Sequence, residues 1–318
     1  MLYLNELTVG QKVKDIYLCK KIMCAKTKAG KDYWTVTLQD KTGSLDAKIW
    51  EPSSSSIDEF DAMDYIWVTG DVTDFMGNLQ MNIRQVRKAD ENEYDSSDYV
   101  PTTDRDIDEM YHELIDLIQT ISTPCLKQLL MNLFANNEEF KKTFCFHSAA
   151  KSVHHGFVGG LLEHTLSVAK LCDFYTINYP YLNRDLLLTA AMCHDIGKVK
   201  ELSPYPLNDY TDEGQLLGHI IIGAEMVKNE IQQIPDFPQT RANELIHCIL
   251  AHHGQLEYGS PKKPAIAEAL ALSYADNTDA KIETMKEALA GGLESNHLNW
   301  QGYNRFLETN IRNTSQDE

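Results

Sequence analysis

The sequence predicts a two-domain chain, an all-β barrel followed by an all-α domain. Three observations carry this expectation: a period-2 apolar pattern within residues 10–88, a 3.6-residue period from about residue 105, and an acidic, aperiodic stretch between them. A length of 318 residues fits two domains of roughly 150 residues each. Hydrophobic residues make up 43% and charged residues 24%, ordinary globular usage that argues against disorder or a fibre.

In the first part, Tyr33, Thr35 and Thr37 alternate with Trp34, Val36 and Leu38, and the same alternation recurs over 44–50 and 65–72. Turn signals stand at Lys28-Ala-Gly-Lys31, Asp40-Lys-Thr-Gly43 and Met76-Gly-Asn78. About five strands follow, with a polar segment at 52–60 between the third and fourth. This fits an OB-type barrel over residues 1–89, although other five-stranded barrels and sandwiches share the pattern. Residues 90–104 read as an acidic linker. From there Ile107, Met110, Tyr111, Leu114, Leu117, Ile118 and Ile121 form one helical stripe. Thr123-Pro124 reads as an N-cap followed by proline at the first helical position. Further helices are expected near 160–177, 183–194, 216–234, 240–253 and 264–290, with no strand among them. The helical domain is expected to run over 105–310, followed by a flexible tail at 311–318.

Composition narrows the setting. No stretch approaches the ~18 apolar residues of a membrane span. The start, Met1-Leu-Tyr-Leu-Asn-Glu, lacks a basic, apolar leader. Seven scattered cysteines without a Cys-x-x-Cys pair argue against a disulfide scaffold and against a thiolate zinc site. A cytoplasmic protein with reduced thiols and no membrane partner is expected. The net charge of −18 is unfavourable to nucleic acid, but residues 1–50 hold nine lysines against five acids, so the N-terminal part is locally basic.

The histidines carry the chemistry. His194-Asp195 ends an apolar helix, His252-His253 ends another, and Asp276 follows the run Leu270-Ala-Leu-Ser-Tyr-Ala. A carboxylate among Ala and Leu costs several kcal/mol unless a cation or strong donors meet it. Imidazole and carboxylate donors without thiolate suit Mn, Fe, Co or Zn. An Asp ringed by several His is the composition of a two-metal hydrolytic centre.

The series His164, His194-Asp195 and Asp276 is similar to the H…HD…D signature of the HD-domain metal-dependent phosphohydrolases. The strings Gly159-Gly-Leu-Leu-Glu-His164 and His194-Asp-Ile-Gly-Lys198 resemble that family too. With an OB-type barrel in front, residues 1–310 resemble the YhaM-type 3′–5′ exoribonucleases. The resemblance implies an all-α HD-domain, two divalent ions (Mn²⁺, with Co²⁺, Fe²⁺ or Zn²⁺ as alternatives) and hydrolysis of RNA to 5′-mononucleotides. It assigns His164, His194, Asp195 and Asp276 to a first ion. Asp195 would bridge to a second ion completed by His219, His252 and His253. Lys198 would face the substrate phosphate. His155, nine residues before His164, is expected to line the pocket or to stand behind the ligands. After His252-His253 the chain reads Gly254-Gln-Leu-Glu-Tyr-Gly-Ser-Pro261, which lacks the G-Y-P signature of the cyclic-di-GMP phosphodiesterase branch.

In the barrel, Lys26, Lys28, Tyr33, Trp34, Lys48, Trp50, Phe75 and Arg84 interleave aromatic rings with cations, as a single-strand-binding face requires. Alternation allows only one of Tyr33 and Trp34 to point outward. The expected partner is single-stranded RNA, with single-stranded DNA and homo-oligomerisation left open. Two other readings stand beside this one: a nucleotide or cyclic-nucleotide phosphohydrolase of HD type, and a nucleic-acid-binding protein with a vestigial HD site.

Overall fold

The computed structural model describes residues 1–151, 155–290 and 300–314. The chain divides into two compact units, one of Met1–Thr102 with Tyr205–Leu207 and one of Thr103–Pro204 with the residues from Asn208 onward.

The first unit is built on five strands: β1 (Lys12–Lys26), β2 (Asp32–Asp40), β3 (Gly43–Ile49), β4 (Tyr65–Phe75) and β5 (Asn78–Lys88). They close into a barrel in the order β1-β2-β3-β5-β4, the Greek-key arrangement of an OB fold. Closure depends on the length of β1. Its first half pairs with β4 and its second half with β2, and a bulge between Cys19 and Lys21 bends the strand from one partner to the other. The inward positions, among them Tyr17, Val36, Leu38, Ala47, Ile66, Val68 and Met81, are fully buried.

The expected linker is corrected here. Residues 90–102 belong to the barrel unit. Tyr94 stacks on Tyr65 at 3.9 Å, and Tyr99 is buried with Ile16 and Leu18. The Asp98 carboxylate accepts from the Tyr3 hydroxyl at 2.8 Å and pairs with Lys41 at 3.1 Å. Counting acids exposed the charge of this segment and concealed its two tyrosines, which bury enough surface to hold it down.

The second unit contains α1 (Ile107–Gln119), α2 (Pro124–Phe134), α3 (Glu138–Phe146), α4 (Gly160–Asn178), α5 (Arg184–Cys193), α6 (Lys198–Glu201), α7 (Asp212–Gln233), α8 (Gln239–Ala251) and α9 (Ala267–Ala290). Side chains of Asp106, Asn137, Asn183 and Thr211 cap their helices. Thr123 occupies the N-cap position before Pro124, but its hydroxyl donates to Asp185 at 2.7 Å and caps nothing. The two short helices α3 and α6 were not expected, since nine and four residues hold too few turns to show a period. A hairpin of β6 (Trp300–Asn304) and β7 (Thr309–Arg312) follows α9, against the expectation of no strand. Ile311, expected in a flexible tail, is buried; residues 315–318 of that tail lie outside the described residues. Among the described residues no helix is long and apolar enough to cross a membrane, and all seven cysteines are free.

Helix α5 is central, with every residue from Leu186 to Cys193 buried. It delivers the chain to a close crossing. A Cβ on Gly197 would lie 2.1 Å from the His219 carbonyl oxygen and 2.6 Å from the Gly223 amide nitrogen. Only glycine permits α6 to approach α7 this closely. Gly197→Ala is expected to lower stability by about 2–3 kcal/mol, read as a lower urea midpoint by far-UV circular dichroism. An unchanged midpoint would mean that the crossing opens freely.

Candidate functional site

All but one of the candidate ligands sit where a helix begins, ends or breaks; Asp276 lies within a helix. His164 lies in the second turn of α4, and His194-Asp195 directly follows α5. His219 follows Gly218, whose φ of 73° and ψ of 155° interrupt α7. His252-His253 follows α8, and Asp276 belongs to α9.

These elements converge on Asp195, which is 2% exposed. Its two carboxylate oxygens face different neighbours. Oδ2 lies 3.5 Å from Nε2 of both His164 and His194 and 2.7 Å from Lys198 Nζ. Oδ1 lies 3.5 Å from His219 Nε2 and 3.6 Å from His252 Nε2. On the first side, His164 Nε2 is also 3.2 Å from Asp276 Oδ1 and 3.2 Å from His194 Nε2. On the second, His219, His252 and His253 bring ligand atoms within 4.8 Å of one another. The seven residues expected to ligate are thus brought together.

All five imidazoles are held from behind through Nδ1. His194 donates to the Ala191 carbonyl and His252 to the Ile249 carbonyl, each at 2.7 Å and three residues back. Those carbonyls belong to the last turns of α5 and α8, where helical partners run out. A histidine placed just past a helix end therefore finds an acceptor for Nδ1–H and turns Nε2 outward. His253 donates to the Tyr258 carbonyl at 2.7 Å. The other two use carboxylates: His164 Nδ1 donates to Asp279 at 2.7 Å, and His219 Nδ1 to Glu201 at 2.9 Å. Glu201 also accepts from the His219 amide at 2.9 Å, which secures the turn after Gly218. Sequence reasoning missed both carboxylates. Asp279 carried a faint signal, three residues after Asp276 on one helix face; Glu201 carried none.

His155, expected to line the pocket or to stand behind the ligands, is placed behind them. Its Nε2 donates to Asp279 at 3.0 Å, so it contacts the carboxylate that holds His164 and does not reach Asp195. The expected candidate Lys198 does reach Asp195 and lines the cavity.

The charges confirm how strongly the groups act on one another. Burial works against ionisation of Asp195, but Lys198, His194, His219 and His252 hold its carboxyl well below the usual range. Burial likewise opposes a charge on His164; the hydrogen bonds that the Asp276 and Asp279 carboxylates accept from it outweigh this and push the imidazole up to about 9. His252 is pushed well down by burial and by His253 and His194, so it stays neutral. Lys198 places an ammonium beside Asp195, with Asp276 and Glu201 adding to its field.

Divalent cations fit this donor set. Asp195 Oδ1, His219 Nε2 and His252 Nε2 are buried without a hydrogen-bond partner, which is costly unless something electropositive meets them. Donor separations of 3.2–3.6 Å match the edges of a coordination shell with bonds of about 2.1 Å. His164, His194, Asp195 and Asp276 would hold one ion, and Asp195, His219, His252 and His253 the other. The ligands open into a cavity of about 400 Å³ lined by His164, Asp195, Lys198, His253 and Asp276.

Residues 161–281 match the family model of the HD domain. HD domains are metal-dependent phosphohydrolases, and all seven converging ligands lie inside the matched span. Solved structures resemble smaller parts of the chain. A replication protein A heterotrimer bound to single-stranded DNA is 20% identical over 29% of this chain and 67% of its own, with a TM-score of 0.22. The second OB-fold domain of replication protein A from Methanococcus maripaludis is 17% identical, covering 28% of this chain and 94% of its own, at 0.21. A mitochondrial single-stranded DNA binding protein from S. cerevisiae is 9% identical, covering 26% and 97%, at 0.21.

On the barrel, the candidate binding residues divide. Tyr33 points outward, stacks on Trp50 at 5.1 Å and lies under Lys48 Nζ at 5.4 Å. Trp50 Nε1 donates to Asn82 at 2.8 Å, and the Asn82 amide donates to Thr73, extending this outer face across β3, β5 and β4. Phe75 is exposed at the far end of β4. Trp34, by contrast, packs inward against Phe60 and the barrel core. Lys26 and Arg84 are exposed but paired with Asp32 and Asp71, and Lys28 is exposed in the β1–β2 turn.

Removing the carboxylate anchors should loosen the HD-domain centre without touching a ligand. Asp279→Ala and Glu201→Ala are each expected to weaken Mn²⁺ binding by about 10- to 100-fold. Mn²⁺ titration followed by electron paramagnetic resonance, with the fold checked by circular dichroism, measures this. Wild-type affinity in both variants would show that the Nδ1 contacts are incidental.

Proposed function

We propose that this chain is a 3′–5′ exoribonuclease that uses Mn²⁺ and shortens single-stranded RNA to 5′-mononucleotides. The observation that carries the reading is the division of Asp195, one oxygen toward His164 and His194 and the other toward His219 and His252. These donors would hold a pair of divalent cations, which would supply an activated water and neutralise charge on a phosphoryl group. The protein supplies the rest. Lys198 places an ammonium at the cavity wall, where it can draw in a phosphodiester and offset its charge. Asp279, Glu201 and the helix-end carbonyls keep the imidazoles in one tautomer. A cavity of this size admits a chain end more readily than the middle of a strand, which favours stepwise trimming. Cleavage of the bond between phosphorus and O3′ of the preceding sugar leaves a fresh 3′-hydroxyl, so trimming can repeat. The 3′ polarity and the choice of RNA come from the resemblance to YhaM-type enzymes. Seven free thiols suit a cytoplasmic setting.

With Mn²⁺ and a 5′-labelled single-stranded RNA, the wild-type protein is expected to produce a descending ladder, and mass spectrometry should identify nucleoside 5′-monophosphates. Asp195→Ala should abolish the ladder while the far-UV spectrum remains native. Internal fragments from the outset would refute the exonucleolytic reading. Hydrolysis of free nucleotides with RNA untouched would favour a small-molecule phosphohydrolase.

The barrel is proposed to hold the strand on the Tyr33–Lys48–Trp50 face. The double substitution Tyr33→Ala, Trp50→Ala is expected to raise KM for a long RNA about 10-fold or more and to leave a dinucleotide unaffected. Because phosphate contacts release counterions, KM for the long RNA should also rise with salt. Equal KM values for the variant and wild type on long RNA would remove this face from the reading.

A further inference from the structure

Metal binding leaves the segment after His252-His253 unexplained. Gly254, with φ of +77°, turns the chain, residues Leu256–Tyr258 form a single 3-10 turn, and Gly259, with φ of +90°, ends it. The Tyr258 main chain already has a task, since its carbonyl accepts from His253 Nδ1. Its side chain has none among the described residues. The ring is 64% exposed, yet it lines the same cavity as His164, Asp195, Lys198 and Asp276. The other described lining residues are small, polar, charged or imidazole, so Tyr258 brings the one phenol ring among them. Asn277 also belongs to the lining.

An exposed tyrosine elsewhere on the surface would need no explanation. This one is tethered to a metal ligand by its own carbonyl, which fixes where the ring can sit relative to the reacting phosphate. We propose that Tyr258 is the platform on which the base of the terminal nucleotide stacks, so that the cavity selects a nucleoside 5′-phosphate unit over a base-free phosphodiester. The selection is by π-face and tolerates every base, as trimming of mixed sequences requires. Asn277 supplies a polar partner to the same nucleotide. The inference rests on the nuclease reading above.

The main-chain carbonyl survives any substitution at Tyr258, so the His253 anchor is retained while the ring is removed. The test uses the Mn²⁺-loaded full chain, Tyr258→Ala and Tyr258→Phe, with two single-stranded RNAs that differ only in whether the terminal nucleotide carries a base. Bound manganese per chain should be the same in all three proteins. Wild type and Tyr258→Phe should show a KM about 5- to 150-fold higher for the abasic end. Tyr258→Ala should show a raised KM for intact RNA, little change in kcat, and no further penalty for the abasic end. An equal abasic penalty in wild type and Tyr258→Ala would overturn the platform while leaving the nuclease reading intact. Loss of manganese from Tyr258→Ala would assign the residue to the metal site and overturn it equally. Failure of the wild-type protein to shorten either RNA would overturn the nuclease reading itself, and the platform with it.

Discussion

A carboxylate buried at the meeting point of five helices has to be compensated, and the helical unit is organised around doing so for Asp195. At 2% exposure it has lost nearly all contact with water, a loss worth several kcal/mol if nothing replaced it. Lys198, 2.7 Å from Oδ2, replaces it in part. The remainder is left to cations, as three orphaned donor atoms indicate. The same low-dielectric surroundings that make an unpaired Asp195 costly make a cation there bind strongly. Stability of the cluster and its chemistry therefore have one origin.

Aiming five imidazoles at one point is an orientational problem, and the fold solves it for four of them with two devices; the Tyr258 carbonyl holds the fifth, His253. At the ends of α5 and α8, carbonyls that lack helical partners accept Nδ1–H of a histidine three residues on. This device is local and comes with the helix end. For His164 and His219, which sit within helical segments, carboxylates from α9 and α6 do the same work over larger separations in the chain. For His219 the second device depends on the packing of α6 against α7, which in turn depends on Gly197 having no side chain.

The barrel handles its aromatics by the same logic of faces. Closure through the bent β1 decides which side of β2 becomes interior, sending Trp34 to the core and leaving Tyr33 outside with Lys48 and Trp50. Asn82 and Thr73, from β5 and β4, continue that outer face with polar side chains.

The apolar periods marked the strands and the long helices, and the placement of His194-Asp195 and His252-His253 at the ends of apolar runs marked the centre, because both signals live within a few turns of chain. Five of the seven expected ligands were legible for that reason; His164 and His219 came only from the resemblance to the HD-domain family. Asp279 and Glu201 were not, because their meaning comes from which imidazole lies beside them, and that is set by how α9 and α6 pack. The docking of Tyr94 and Tyr99 on the barrel, the inward turn of Trp34 and the retreat of His155 behind Asp279 were likewise decided by tertiary structure. Periodicity and helix-end chemistry are properties of neighbouring residues and can be read from their order. A hydrogen bond between residues 124 positions apart, such as that of His155 with Asp279, exists only once the core has chosen which faces meet.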